Sequence, residues 1–267
     1  MKNIRVEEKF KELLEDLILR YSAYNNIISF IEDVSENDDV LSLAKDFSEE
    51  LSLYESDIER IFGVDIFNID YDTLNISFIN PIIDNIATAL SYISDLTPEN
   101  FEKLCAIYIK FLGTTGDPKV TRKAHDQGID YIGVVERSER SKLFSSESNV
   151  NRYYLIGQAK HYEKDKVTSK EIRELAGSIY LLKYKGFALK DNPYSDLSLK
   201  AFTPIYVYFI TSNYFSESAK RLCFNADIIP IDRMILAITF GLDVSYQDSG
   251  LFASSKLSQA INNINFF

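Results

Sequence analysis

The 267-residue chain is 46% hydrophobic and 13% aromatic, which is enough for one large or two ordinary packed domains and excludes bulk disorder. Its formal net charge of −11 argues, taken alone, against a nucleic-acid partner. Two cysteines exclude a disulfide scaffold, the N-terminus lacks the apolar region of a secretory signal, and no apolar run approaches the ~20 residues that a membrane span needs. We therefore expect a soluble, cytoplasmic protein with reduced, buried thiols.

The charge is unevenly distributed. Residues 1–96 contain 7 Lys and Arg against 21 Asp and Glu, a net of −14. Residues 97–267 contain 29 − 7 = 22 basic and 40 − 21 = 19 acidic residues, a net of +3. This asymmetry predicts two domains with separate roles, 1–96 and 97–267.

The first domain is predicted to be all-α. Apolar residues recur at helical spacing over 6–34, 39–62 and 81–93. The first of these helices is either continuous or broken near Asn25-Asn26, and residues 64–78 fit either a helical or a strand period. No motif here carries chemistry, so the acidic charge is either a solvated outer face or a module for protein partners, oligomerisation or regulation.

The second domain is predicted to begin at Thr97, where Thr-Pro-Glu is a typical helix start. Patterning then predicts strands over 119–124, 128–135, 153–161, 205–210 and 227–230, and helices up to Gly113, after Ser169, and over 216–224, 231–240 and 257–264. Residues 136–151 are predicted to form an exposed connection. Helices that alternate with buried strands indicate an α/β fold with a mixed sheet flanked by helices.

Three polar residues interrupt the predicted hairpin of 128–135 and 153–161. They are a carboxylate, Asp130, an amide, Gln158, and an ammonium group, Lys160. Burying such groups is costly unless they are paired or hold a metal, and the two-residue period of a strand places Gln158 and Lys160 on one face.

Their chemistry fits phosphodiester hydrolysis. Mg²⁺, for which Mn²⁺ could substitute, takes oxygen ligands, and Asp130, the Gln158 amide and the Ala159 carbonyl can supply them. Lys160 could position or deprotonate water, or stabilise the charge of the transition state. With two histidines and no cysteine pair, a zinc site is not expected.

Three segments together carry a resemblance to a known family. They are Phe101-Glu102, Asp126-x-Gly128-Ile129-Asp130 and Gln158-Ala159-Lys160-His161-Tyr162. In this combination the chain resembles the Mrr-like restriction endonucleases, a branch of the PD-(D/E)xK nuclease superfamily. Leu175-x-Gly177 and the stretch from Ile210 to Leu236 fit the same family, so the resemblance covers roughly 97–240.

The resemblance implies a role for each matching residue. Asp130 would be the metal-binding acid, Gln158 would replace the more usual Glu, and Lys160 would be the catalytic lysine. Glu102 would be the helix acid that completes the site, and Asp126 an accessory acid. Simpler interpretations stay open: Asp126 could belong to a turn, Glu102 could be solvated, and the Gln-x-Lys pattern could mark an exposed edge.

DNA contacts are expected from the basic residues that follow Lys160. These are Lys164, Lys166, Lys170 and Arg173. The interpretation of His161 is that it points to the opposite strand face and packs there.

The expected function is that of a metal-dependent DNA endonuclease in restriction or antiviral (anti-phage) defence. It would act as a homodimer or with a partner protein bound to the helical domain. Two alternatives remain: a structure-specific repair or recombination nuclease, and a non-catalytic DNA-binding or regulatory subunit that keeps the nuclease fold.

Overall fold

The computed structural model describes residues 2–36, 39–121, 128–138, 150–184, 194, 197, 199 and 202–264. The chain divides into two compact units, Met1–Tyr92 with Met234–Lys256, and Ile93–Arg233 with Leu257–Phe267. Within the described residues no helix is long and apolar enough to cross a membrane. The assignment of 1–96 to partner binding and of 97–267 to nuclease activity stays a prediction.

The first unit is mainly helical. Its helices are α1 (Lys2–Leu19), α2 (Ile27–Val34), α3 (Val40–Phe62), α4 (Ile82–Ser94) and α8 (Arg233–Leu242), with short 3₁₀ turns at Tyr21–Ala23 and Val244–Tyr246. The helix predicted over 6–34 is broken, because the Asn26 side chain caps α2 by accepting from the N–H groups of Ile28 (2.9 Å) and Ser29 (3.3 Å).

The ambiguous segment 64–78 forms a β-hairpin, so the first unit is not all-α. Its strands are β1 (Phe67–Asp70) and β2 (Asn75–Phe78), paired antiparallel. The Asp70 carboxylate accepts from Asp72 N at 3.0 Å and from the Thr73 hydroxyl at 2.8 Å, which fixes the turn. Two further short strands pair nearer the C-terminus, β8 (Gln247–Asp248) and β9 (Leu251–Phe252).

The second unit is built on a five-stranded mixed sheet of order β3-β4-β5-β6-β7. The strands are β3 (Lys119–Val120), β4 (Tyr131–Ser138), β5 (Val150–Lys160), β6 (Ile205–Thr211) and β7 (Ile228–Ile231). The first three pair antiparallel, and β6 and β7 continue parallel to β5. The predicted mixed α/β sheet is therefore confirmed.

Three helices lie against this sheet: α5 (Pro98–Phe111), α6 (Ser169–Tyr184) and α7 (Glu217–Asn225). The last described helix, α9 (Ser254–Asn263), follows β9 in the chain. Side chains of β4, β5 and β6 form one buried core with α6 and α7, to which β5 contributes Tyr154 and Ile156. Because strand side chains alternate, Gln158 and Lys160 share the face of Tyr154 and Ile156, the α6 face of the sheet.

Candidate active site

Asp130 is held at the start of β4 by contacts on three sides. Its backbone N–H donates to Gly157 O and its carbonyl accepts from Thr121 N, both at 2.9 Å. Its Oδ2 accepts from the N–H of Ala159 at 2.7 Å. The side chain is only 8% exposed, so this carboxylate is fixed against the backbone of β5, one residue from both Gln158 and Lys160.

Gln158 is a buried polar residue whose side-chain oxygen is unsatisfied within the described part of the chain. It is 6% exposed, and its Oε1 has no hydrogen-bond partner among the described residues. A buried carbonyl oxygen without a partner costs free energy unless another group binds it. Amide and carboxylate oxygens are both ligands that a hard cation accepts.

Lys160 is the last residue of β5, where it pairs with Thr211 of β6. It is half-buried and lies on the same face as Gln158, two residues earlier. On this face Tyr162 Oη donates to Glu171 Oε1 of α6 at 3.1 Å. The alternation of strand side chains thus presents the amide and the ammonium group on the α6 face of the sheet.

Glu102 belongs to α5, the helix that packs on the other face of the sheet through the Phe101–His161 contact. It is half-buried, and its charge and that of Asp130 both affect the thiol of Cys105, one helical turn further along α5. Burial raises the pKa of Cys105 well above its usual value, and the negative charges of Asp130 and then Glu102 raise it further. The two carboxylates thus act on one buried thiol.

His161 lies on the opposite face, as its position in the strand predicted. Its ring packs against Phe101 of α5 with centroids 5.3 Å apart. Burial lowers its pKa, and a hydrogen bond to the Leu96 backbone opposes that shift only partly. The imidazole is therefore a packing group that favours the neutral form.

The remaining predicted residues divide into two groups. Asp126 lies outside the described residues, so its role as an accessory acid stays a prediction. The four basic residues predicted to contact DNA are all exposed: Lys164, Lys166, Lys170 and Arg173. Lys170 Nζ lies 3.9 Å from Glu174 Oε1, and Arg173 donates to Ser169 Oγ at 3.2 Å.

Two residues that support the site were missed at the level of sequence. Thr121, buried at the end of β3, donates through its hydroxyl to the carbonyl of Ile129, immediately before Asp130. Tyr131 lies across β5, with Oη 3.1 Å from Tyr208 O, and a side chain at Gly157 would collide with its ring. In the sequence, only Gly157 indicated such a contact. It lies in the middle of an apolar strand, where a glycine often marks a site at which another group approaches the backbone closely.

The donor set fits a divalent metal in part. Asp130 and Gln158 supply a fixed carboxylate oxygen and an orphaned amide oxygen. Among the described residues there is no cluster of three or more His, Cys, Asp or Glu side chains that could hold a metal. A metal here would thus depend on the amide, on the Ala159 carbonyl and on water in addition to the single acid.

Residues 93–189 match the family model Mrr_cat, described as a restriction endonuclease. Among solved structures, the chain is similar to MspJI restriction endonuclease in complex with a 27-mer oligonucleotide (16% identity, 68% of this chain and 37% of that chain, TM-score 0.46). It is also similar to the DNA modification-dependent restriction endonuclease AspBHI (15%, 67% and 39%, TM-score 0.43). The chain spans less than two fifths of each of these proteins, 37% and 39%. No curated protein sequence matches it.

Residues 93–189 thus resemble a restriction-endonuclease catalytic domain. This match confirms, for that segment, the resemblance to Mrr-like restriction endonucleases that the sequence carries. The match ends before β6 and β7, which complete the sheet.

Proposed function

We propose that the protein is a Mg²⁺-dependent endodeoxyribonuclease whose active site is formed by Asp130, Gln158 and Lys160. The observation that carries the proposal is the buried Gln158 Oε1, which has no partner in the described residues and belongs to the strand that holds Asp130 in place. A metal ion would satisfy this oxygen, and Mn²⁺ would substitute for Mg²⁺.

The protein side chains have distinct tasks in this proposal. Asp130, Gln158 and the Ala159 carbonyl hold the metal, which when bound neutralises phosphate charge and lowers the pKa of its water. The hydrogen bond from Ala159 N–H fixes the Asp130 carboxylate in one orientation, so little reorganisation is needed when the substrate arrives.

Lys160 provides the positive charge of the site. Its position two residues after Gln158 places its ammonium group on the face where the scissile phosphate would lie. There it orients the attacking water and stabilises the charge that develops on the phosphate. Glu102, the helix acid that the resemblance implies, would complete the site from α5, and its charge, like that of Asp130, raises the pKa of the Cys105 thiol.

The DNA backbone would follow the exposed basic segment that leads away from the site. From residue 160 to residue 173 the chain has five basic and three acidic residues, a net of 5 − 3 = +2. The four exposed residues Lys164, Lys166, Lys170 and Arg173 would contact phosphates, which position the duplex without reading its sequence. The acidic helical region, net −14 over 1–96, is unsuited to that role.

We place this activity in restriction, as a defence against foreign DNA, because the catalytic domain matches a restriction endonuclease family. Cutting both strands requires two active sites, so a homodimer or a partner bound through residues 1–96 is part of the proposal. A repair or recombination nuclease would use the same site, and its preference for branched over linear DNA would distinguish it.

Cleavage of supercoiled plasmid by the full chain tests the proposal. We expect nicked or linear product with Mg²⁺ or Mn²⁺, none with a chelator, and a loss of at least about 100-fold for Lys160→Ala. Lys183→Ala is the matched control, because Lys183 is an exposed lysine in the last turn of α6 and should leave the rate unchanged.

Two results would contradict the proposal. Cleavage that persists in Lys160→Ala, or in the presence of chelator, would place the activity elsewhere. Tight DNA binding by the wild-type protein without cleavage of linear, supercoiled or branched DNA would favour the non-catalytic alternative.

A further inference from the structure

The backbone that carries Lys160 is held by hydroxyl groups at the point where β5 leaves the sheet. β6 ends at Thr211, and Ser212 follows it. Both side chains are buried, with 0% and 3% exposed. We call these two residues the hydroxyl clamp.

The clamp holds Lys160 through its carbonyl. This oxygen accepts from the backbone N–H of Ser212 at 3.1 Å and from the hydroxyl of Thr211 at 3.0 Å. It is thus bound twice, once by the regular ladder and once by a side chain. A doubly bound carbonyl restricts rotation of the peptide plane that follows the Lys160 Cα atom.

The clamp also holds the residue beyond His161. The Ser212 hydroxyl accepts from Tyr162 N at 2.9 Å and donates to Tyr162 O at 3.2 Å. One buried side chain thereby satisfies both polar backbone groups of a residue that lies past the end of the strand. These two hydrogen bonds therefore hold the backbone at Tyr162, two residues beyond Lys160.

Helix α6 also holds the segment after Lys160, through the side chain of Tyr162. Tyr162 Oη donates to Glu171, and Glu171 in turn accepts from Thr168 N at 3.1 Å at the start of α6. The chain after Lys160 is therefore fixed by β6 through its backbone and by α6 through the Tyr162 ring. These contacts restrict the position of the Lys160 Cα atom, from which the lysine side chain extends.

We propose that Thr211 and Ser212 are positioning residues for Lys160, and that they act on the rate of the chemical step rather than on DNA affinity. This inference rests on the nuclease function proposed above. Rate in such reactions depends on placement of the reacting groups to within a fraction of an ångström, and a displacement of 1 Å can cost about 100-fold. Buried hydroxyls that bind the backbone of Lys160 and of Tyr162, at the end of the lysine strand, supply that placement.

The test compares variants under single-turnover conditions in Mg²⁺, with DNA affinity measured separately in Ca²⁺. Ser212→Ala and Thr211→Val remove one hydroxyl each, and Thr211→Ser retains the hydroxyl while losing the methyl group. We expect the cleavage rate of the first two to fall about 10- to 100-fold, with the Kd for DNA within about twofold of wild type, and Thr211→Ser to stay close to wild type.

Ser48→Ala is the matched control for a buried serine. Ser48 is also 3% exposed, and its hydroxyl donates to a carbonyl, that of Lys45, at 2.7 Å in α3. We expect a wild-type cleavage rate for it. In Ser212→Ala the Tyr162 amide should exchange its hydrogen roughly fivefold faster, while the Tyr154 amide exchanges as in wild type.

An inactive wild-type protein would refute the nuclease function itself and, with it, the positioning role. With an active wild type, the inference is overturned by unchanged rates in Ser212→Ala and Thr211→Val, by an equal loss in Thr211→Ser and Thr211→Val, or by a loss that appears wholly in the Kd.

Discussion

At the scale of single residues, Gly128 shows how closely the loop before β4 approaches the site. Its φ is +83°, and a Cβ atom built there would lie 2.5 Å from Ser178 Oγ and 3.9 Å from Gln158 Nε2. The glycine is therefore needed for two reasons. It permits the left-handed backbone, and it leaves space beside the Gln158 amide, which we propose binds the metal. The glycine of the Asp-x-Gly-x-Asp sequence is therefore favoured by packing as well as by its backbone conformation.

Gly128→Ala should destabilise the protein and slow cleavage. The left-handed backbone costs roughly 1–2 kcal/mol for a residue with a Cβ atom. Relief of the contact also requires the Ser178 hydroxyl to leave the Glu174 carbonyl, to which it donates at 3.0 Å, and this adds about 1 kcal/mol. Urea denaturation measures the loss in free energy of unfolding.

Gly116→Ala separates these two contributions. Gly116 has nearly the same φ, +78°, and no described atom lies within 4 Å of the position that a Cβ atom would take there. This variant should therefore show the backbone cost alone and an unchanged cleavage rate. Equal losses of stability in the two variants would contradict the close approach to Ser178.

At the scale of elements, α5 packs against the residue that follows β5 through the Phe101–His161 ring contact. This contact places a titratable group on the face of the sheet opposite the proposed metal site. Because burial lowers the pKa of His161 below its ordinary 6.5, the unfolded state binds a proton more readily than the folded state as the pH falls through 6.5. The associated stability is therefore present above pH 6.5 and is lost on acidification.

His161→Phe should reduce the loss of stability between pH 7.5 and pH 5.5. Phenylalanine keeps a ring against Phe101 but does not titrate. The measurement is the urea midpoint at the two pH values in both proteins, so that other titrating groups contribute equally. An unchanged pH dependence would show that His161 is as readily protonated in the folded protein as in the unfolded one.

Most elements could be predicted from the sequence because their signals are local. Asn26, Asp39 and Thr97 cap helices through side-chain hydrogen bonds, and the apolar run over 205–210 became an interior strand of the sheet. Residues 64–78 could not be assigned, since four-residue strands are too short for a period of two to be distinguished from a helical period.

The candidate site was predictable in its chemistry but not in its support. Asp130, Gln158 and Lys160 stand out in sequence because polar groups interrupt apolar strands. Thr121, Thr211 and Ser212 do not, since a hydroxyl beside an apolar strand is common. Their hydrogen bonds to the strand backbone depend on sheet order and register, which are long-range properties of the fold.

At the scale of the whole molecule, the uneven charge predicts different partners for the two regions. The region of net −14 is expected to repel DNA, whereas the exposed basic residues after Lys160 lie in the part of net +3. DNA affinity should therefore come from few phosphate contacts and depend on salt through those residues.

The salt dependence of DNA binding tests this division. Removing Lys164 and Arg173 together, by Lys164→Ala with Arg173→Ala, should reduce the slope of log K against log salt by about 2. The measurement is made in Ca²⁺, at several salt concentrations. The control pair, Lys45→Ala with Arg60→Ala, changes two exposed cations of the acidic region and should leave the slope unchanged. An equal change in both pairs would contradict a local phosphate-binding surface.

The central claim is that the carboxylate of Asp130 makes this sheet a metal-dependent nuclease. The most direct measurement is the single-turnover rate of cleavage of one labelled DNA in Mg²⁺ for wild type, Asp130→Asn and Asp117→Asn. Asparagine keeps an acceptor for Ala159 N–H, and Asp117 is an exposed control paired with Lys110 at 2.6 Å. Asp130→Asn should lose at least about 100-fold, equivalent to about 2.7 kcal/mol of barrier, while Asp117→Asn should be unaffected. Cleavage by Asp130→Asn at the wild-type rate would contradict the central claim.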